Sequence, residues 1–144
     1  MGKNALKFFQ AYIREMIDVG GSNLPRAIST KTGAKLGKLY KKRGLGLDVK
    51  TALKQAYVAL KAKSTITKLD EKSYDVILKY SKKFCPIGGS YNPSRASLFQ
   101  DNICRPFTLG FLNEIIPQFK IKIDFKKCIV ALNQKKCHYI LRME

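Results

Sequence analysis

The residues best suited to chemistry are four cysteines, Cys85, Cys104, Cys128 and Cys137, all within the C-terminal 60 residues of a 144-residue chain. They are separated by 18, 23 and 8 residues. Four thiolates satisfy the tetrahedral shell of Zn²⁺. Cys128 and Cys137 flank a predicted hairpin, which would bring both sulfurs to one end of a sheet. Cys104 falls at the start of a predicted helix, where exposed amides favour a thiolate. Cys85 lies in an irregular stretch that a metal would help to order. No Cys-x-x-Cys pair occurs, so the same residues also fit free buried thiols, which pack as small apolar groups, or redox thiols. Disulfides fit poorly with a reducing compartment. His138, the only histidine, adjoins Cys137. Neighbours on a strand point to opposite faces, so His138 reads as a satisfied structural or surface histidine rather than a ligand.

Other chemistry finds no support. Gly33-Ala-Lys-Leu-Gly37-Lys38 is one residue short of a phosphate loop, with Leu39 where Ser or Thr would hold Mg²⁺. The acids are scattered, with no pair suited to acid–base work. No local motif supports a Cys–His nucleophile. These observations point to a binding role rather than an enzyme.

The elements that must position the cysteines read as helices first and strands after. Leu6, Phe9, Ile13, Met16 and Ile17 recur at helical spacing over Asn4–Val19, ended by Gly20-Gly21. A second helix is predicted from Leu24 to Arg43, with Pro25 in its first turn. Gly33 and Gly37 share one face of it and would admit a second backbone. A third runs from Asp48 to about Lys63, with Val49, Ala52, Leu53, Ala56, Tyr57 and Leu60 as its apolar stripe. Thr65–Leu69 and Tyr74–Tyr80 read as strands, Phe84–Ile103 as a long loop, and Arg105–Ile116 as a short helix stopped by Pro117. Phe119, Ile121, Ile123 and Phe125 alternate with polar residues, as in a half-buried strand. Ile129–Leu132 and His138–Leu141 are predicted to close a hairpin. The order argues for one α+β domain over 1–144, N-terminal helices packed on a C-terminal antiparallel sheet.

The net charge is +18, from 28 basic and 10 acidic residues. Between Arg26 and Lys63 stand eleven basic residues and one acid, Asp48. The Lys are spread along the whole chain, which fits a plain solvated surface; the partner the charge otherwise suggests is an anionic membrane surface, with nucleic acid a weaker alternative because Arg, which reads phosphates and bases by its fork, is scarce. No apolar run reaches the roughly 18–20 residues that span a bilayer. Arg14, Glu15 and Asp18 interrupt any signal-peptide core, and Leu6 breaks the myristoylation pattern begun by Gly2. The chain reads as cytoplasmic. Apolar residues spread around the first helix beyond one stripe, Phe8, Tyr12 and Val19 among them, which predicts a homodimer built on the N-terminal helices.

Two stretches carry a family resemblance. Cys104-Arg-Pro-Phe-Thr-Leu-Gly110-Phe-Leu, and Cys128 followed after eight residues by Cys137-His-Tyr-Ile140, are similar to the 4-vinyl reductase, or hydrocarbon-binding, domain family. Those domains occur in archaeal proteins and aromatic-sensing regulators, and their fold is related to core subunits of the TRAPP vesicle-tethering complex. The layout resembles that superfamily over roughly Phe8–Leu141; the specific motifs cover Cys104–Tyr139. The resemblance implies zinc held by Cys104, Cys128 and Cys137. The family's Glu is absent here, which leaves Cys85, or Asp124 as substitute, for the fourth position. It also implies a pocket for an apolar small molecule or lipid, with Phe107, Phe111, Leu112, Tyr91, Phe8 and Tyr12 as lining candidates. The alternative it implies is a TRAPP-like dimeric module that assembles with protein partners or at anionic membranes.

Overall fold

A computed structural model describes residues 3–44, 48–58 and 60–144. Gly2, which bears on the acylation pattern, lies outside them. Helices α1 (Lys3–Gly20), α2 (Asn23–Lys42) and α3 (Val49–Val58) come first. Strands β1 (Lys63–Asp70) and β2 (Ser73–Lys79) follow, then helices α4 (Ala96–Phe99) and α5 (Arg105–Ile115). Strand β3 (Ile121–Lys127), the helical turn α6 (Ile129–Leu132) and β4 (Lys136–Met143) complete the chain. The strands form one antiparallel sheet in the order β1-β2-β4-β3. The fold is therefore α+β, as the sequence predicts.

Alternation along the strands sorts the sheet into two faces. Val76 and Leu78 of β2, Tyr139, Leu141 and Met143 of β4, and Ile121 and Ile123 of β3 are buried against the helices. Lys122 and Asp124 on β3, and Arg142 on β4, stay exposed on the other face.

The main helix contact is between α2 and α5, and glycine permits it. A Cβ on Gly33 would overlap the Phe107 carbonyl oxygen, and one on Gly110 would overlap that of Thr30. At Gly37 a Cβ would sit 2.7 Å from the Phe111 oxygen and 2.8 Å from Glu114 Cβ. The shared face of Gly33 and Gly37 thus brings α5 to backbone contact. Arg26 Nε extends the join, donating to Asn102 Oδ1 at 2.8 Å. Helix α1 is held to the 84–95 segment instead. Gln10 Nε2 donates to the carbonyls of Cys85 (3.1 Å) and Pro86 (3.0 Å), and Arg95 pairs with Asp18 at 3.5 Å.

The structure corrects three expectations. Helix α3 ends at Val58, not Lys63: Lys61 takes a positive φ of 58°, and Lys63 already pairs with Lys79. Sheet pairing wins over the helical pattern at Lys63. The 84–103 loop is irregular only in its first part. A 3₁₀ turn (Pro93–Arg95), α4 and a π turn (Gln100–Cys104) run without a break into α5. Ile129–Leu132 is a helical turn, not a strand; Asn133, in the left-handed region at φ 50°, closes it before β4.

Candidate ligand cavity and thiol cluster

A cavity of about 310 Å³ lies between the helices and the inner face of the sheet. Leu36 of α2, Leu53 and Tyr57 of α3, and Ile103, Phe107 and Phe111 form its helical walls. Leu78, Phe125 and Tyr139 form its sheet floor. Its walls are chiefly apolar, in the size range of small-molecule sites, about 300–1,000 Å³. Two walls are fixed by ring contacts. Phe111 meets Tyr40 edge-on at 5.5 Å between centroids, and Phe125 meets Tyr139 at 5.9 Å. Arg105 covers the outer side of the Phe125 ring at 5.0 Å and donates to the Ile123 carbonyl, tying the start of α5 to β3.

Phenols supply polarity inside. Tyr57 and Tyr139 share a hydrogen bond of 2.5 Å between their hydroxyls. Burial pushes the Tyr57, Tyr80 and Tyr139 phenols well above their ordinary range, so each stays protonated.

All four cysteines line the same cavity. Cys137 is the hub, hydrogen-bonded through its thiol to Cys85 and Cys128. Cys137 has one proton, shared between the two neighbouring sulfurs; keeping it raises the Cys137 pKa, and the sharing lowers Cys85. The Cys128 thiol falls to about 5, chiefly through the bond from Cys137, with a second from Gln100. Cys104 was expected at a helix N-terminus. The π turn and α5 run through it, and burial pushes its thiol well above the ordinary value. Cys85 is placed by a tight turn, exchanging 2.8 Å backbone bonds with Gly89.

The donor set matches zinc in chemistry and number, and all four cysteines line the cavity. Among the described residues, however, no group of three or more His, Cys, Asp or Glu side chains is arranged to hold a metal ion. The thiols are disposed as hydrogen-bonding partners. Asp124, the substitute ligand, stands on the outer sheet face and pairs with Lys126 at 2.6 Å. His138 also lies on that face, 2.5 Å from Asp75, opposite to Cys137.

Of the pocket residues inferred from sequence, Phe107 and Phe111 line the cavity. Leu112 does not: one residue further round α5, it is fully buried in the core. Phe8 and Tyr12 lie outside it too, 68 % and 63 % exposed on α1, because α1 packs on the 84–95 segment rather than over the sheet. Tyr91 lines a separate depression between α1 and that segment. Sequence reasoning missed Tyr57, Phe125 and Tyr139; the signal was there, in the inward period-2 positions of β3 and β4 and the apolar stripe of α3.

No protein-family model and no curated protein matches the sequence. The fold is similar to a solved structure of trafficking protein particle complex subunit 3 from Naegleria fowleri, crystallised covalently bound to palmitic acid. The TM-score is 0.65 at 16 % identity, covering 99 % of this chain and 94 % of that one. At that identity the likeness establishes the fold, helices and four-stranded sheet included.

Proposed function

We propose that this chain is an assembly module of the trafficking-complex subunit type, pairing with a second copy through α1 and the start of α2. The observation that carries the reading is the uncovered apolar surface there. Phe8, Phe9, Tyr12 and Val19 are 68 %, 50 %, 63 % and 87 % exposed, and Leu24 and Ile28 about half. An amphipathic helix with so much outward apolar surface is stabilised by a partner. Light scattering across a concentration series should give twice the chain mass, and Tyr12→Glu combined with Phe8→Glu should give the monomer with an unchanged circular dichroism spectrum. A wild-type monomer at the highest concentration overturns the proposal.

The cavity favours a companion role, holding an apolar chain such as a fatty acyl group. Its chiefly apolar walls support this, as does the palmitic acid on the structural neighbour. Cys104, Phe107, Phe111, Cys128 and Cys137, from the motifs that resemble hydrocarbon-binding domains, all lie on its wall. The Cys128 thiolate is the attachment point we assign. It would attack the carbonyl of an acyl thioester donor, forming a new S–C bond as the donor's breaks, and the departing thiolate takes up a proton. Intact mass before and after hydroxylamine tests attachment, and solvent extraction tests a ligand held without a bond. An unmodified protein that yields no lipid in extracts overturns this role. Zinc on Cys85, Cys104, Cys128 and Cys137 is the alternative proposal for the same sulfurs, exclusive of acylation at Cys128; it would supply a structural cross-link between the 84–95 segment and β4. Among the described residues no helix is long and apolar enough to cross a membrane. Contact with anionic lipid would instead use the basic surface between Arg26 and Lys63.

A further inference from the structure

The depression that Tyr91 lines has a chemistry of its own. It measures about 290 Å³ and lies between α1 and residues 84–99. Lys7, Gln10 and Arg14 line one wall, at i, i+3 and i+7 on a single stripe of α1. Arg95 stands opposite, beside Ser90, Tyr91 and Asn92. No carboxylate lines the depression. Lys7 and Arg14 form no ion pair among the described residues, and Arg95 shares only Asp18, at 3.5 Å. Three cations with one nearby acid thus face each other across a concave surface.

We propose that this depression binds a phosphate ester. Two guanidinium forks and an ammonium suit the oxygens of a phosphate better than a single carboxylate. Concave walls concentrate the field, and the chain's net charge of +18 draws anions toward it. The helix that carries Lys7 and Arg14 is held in place before any ligand arrives. Gln10, only 6 % exposed, fastens α1 to the carbonyls of Cys85 and Pro86. Gly89, at φ 88°, lets the loop pass so close that a Cβ there would lie 2.6 Å from Gln10 Oε1. The exposed apolar stripe of Phe8, Tyr12 and Val19 lies on another side of α1, so pairing through it leaves the depression open. The site is independent of the assembly reading, and the two fail in different experiments.

Two sources present this chemistry, a lipid headgroup and a soluble phosphate ester. Flotation with phosphatidylcholine vesicles carrying phosphatidic acid, compared with vesicles of equal charge carrying phosphatidylserine, reads the first. Competition by free glycerol phosphate reads the second. Lys7→Gln with Arg14→Gln should weaken binding to phosphatidic acid vesicles by about tenfold or more. Lys82→Gln with Lys83→Gln, which removes the same charge from exposed positions, should change it by less than about threefold. Competition by glycerol phosphate identifies a soluble ester as sufficient; binding lost only on vesicles identifies the headgroup. In the wild-type protein, short-chain phosphatidic acid should shift the amide resonances of residues 88–92. Equal losses in the two double variants, or no shift in those amides, overturns the proposal.

Discussion

Replacing Gly37 with alanine separates two opposing effects whose sizes the structure sets. Alanine in a helix interior is favoured over glycine by about 0.8–1.0 kcal/mol. Against this, the new Cβ would stand 2.7 Å from the Phe111 carbonyl oxygen and 2.8 Å from Glu114 Cβ, where ordinary contact begins at 3.4 Å. The partner at 2.7 Å is backbone of α5 and has no rotamer to escape through. Helices α2 and α5 must therefore part by about 0.7 Å, the difference between those two distances. A gap of about 0.5–1 Å forfeits a quarter to a half of each dispersion contact across it. Overpacking of this kind costs about 1–3 kcal/mol after relaxation. Set against the propensity gain, the balance is a net destabilisation of up to about 2 kcal/mol, and a midpoint lowered by up to about 7 °C. Gly33→Ala, whose Cβ would overlap the Phe107 carbonyl, should be worse. Urea and thermal melts followed by circular dichroism measure both. A Gly37→Ala protein as stable as the wild type, or more so, would refute the claim that backbone contact sets the α2–α5 distance.

The remaining predictions concern the cavity wall. Iodoacetamide should modify Cys128 first and still react near pH 6, because its lowered pKa keeps the thiolate; Cys104, raised by burial, should resist until the protein unfolds. Peptide mapping after timed alkylation measures the order. For Tyr57, Tyr80 and Tyr139 the folded pKa lies above the ordinary 10.0, so their contribution to stability is complete below pH 10 and is lost as the pH rises beyond it. Stability should thus fall above about pH 10, and less steeply in Tyr57→Phe, by urea melts across pH. If zinc is bound, elemental analysis should find one ion per chain, and chelation should expose four titrating thiols and loosen β4 before α2 and α5. Four titrating thiols without metal, in protein made without a His-tag, would end the zinc proposal.

Much of the frame was legible because periodicity carries it. Helix α2 falls within a residue of its expected bounds, and the shared face of Gly33 and Gly37 announced a close backbone approach before any partner was known. The segment before Cys104 was not legible. Pro86, Gly88, Gly89 and Pro93 read as loop, yet Asn102 donates to the Leu98 carbonyl at 2.8 Å and accepts from Arg26, side-chain contacts that stabilise the turn joining α4 to α5. Ile129–Leu132 has strand-forming residues, but Asn133 tolerates the left-handed conformation that ends a helical turn. For the site, Phe107 and Phe111 are four apart on α5 and share a face, whereas Leu112 is turned by about 100° into the core. A one-residue error on a helix changes the compartment a side chain enters. The aromatic excess on α1 was visible, but periodicity alone does not say whether a cavity or a partner covers it.

The π turn unites these threads. A wider turn leaves i→i+4 bonding briefly and is found where function needs irregular backbone. Here it spans Gln100–Cys104 and serves both sides of the molecule. On its outer side Asn102, 4 % exposed, anchors Arg26 of α2 and so fixes the helix that carries Gly33 and Gly37. On its inner side Gln100, Ile103 and Cys104 face the cavity, and Gln100 reaches the Cys128 thiol. The same five residues thus set the helix spacing that shapes the cavity and part of the hydrogen bonding that keeps Cys128 ionised. Asn102→Ala should therefore disturb more than packing. It takes the acceptor from Arg26, which is exposed and turns to water, so the cost is that of one net hydrogen bond, about 0.5–1.5 kcal/mol, and it shifts the alkylation profile of Cys128 upward in pH although Asn102 touches no thiol. A variant that loses stability while the Cys128 profile stays in place would show that the two sides of the turn act separately.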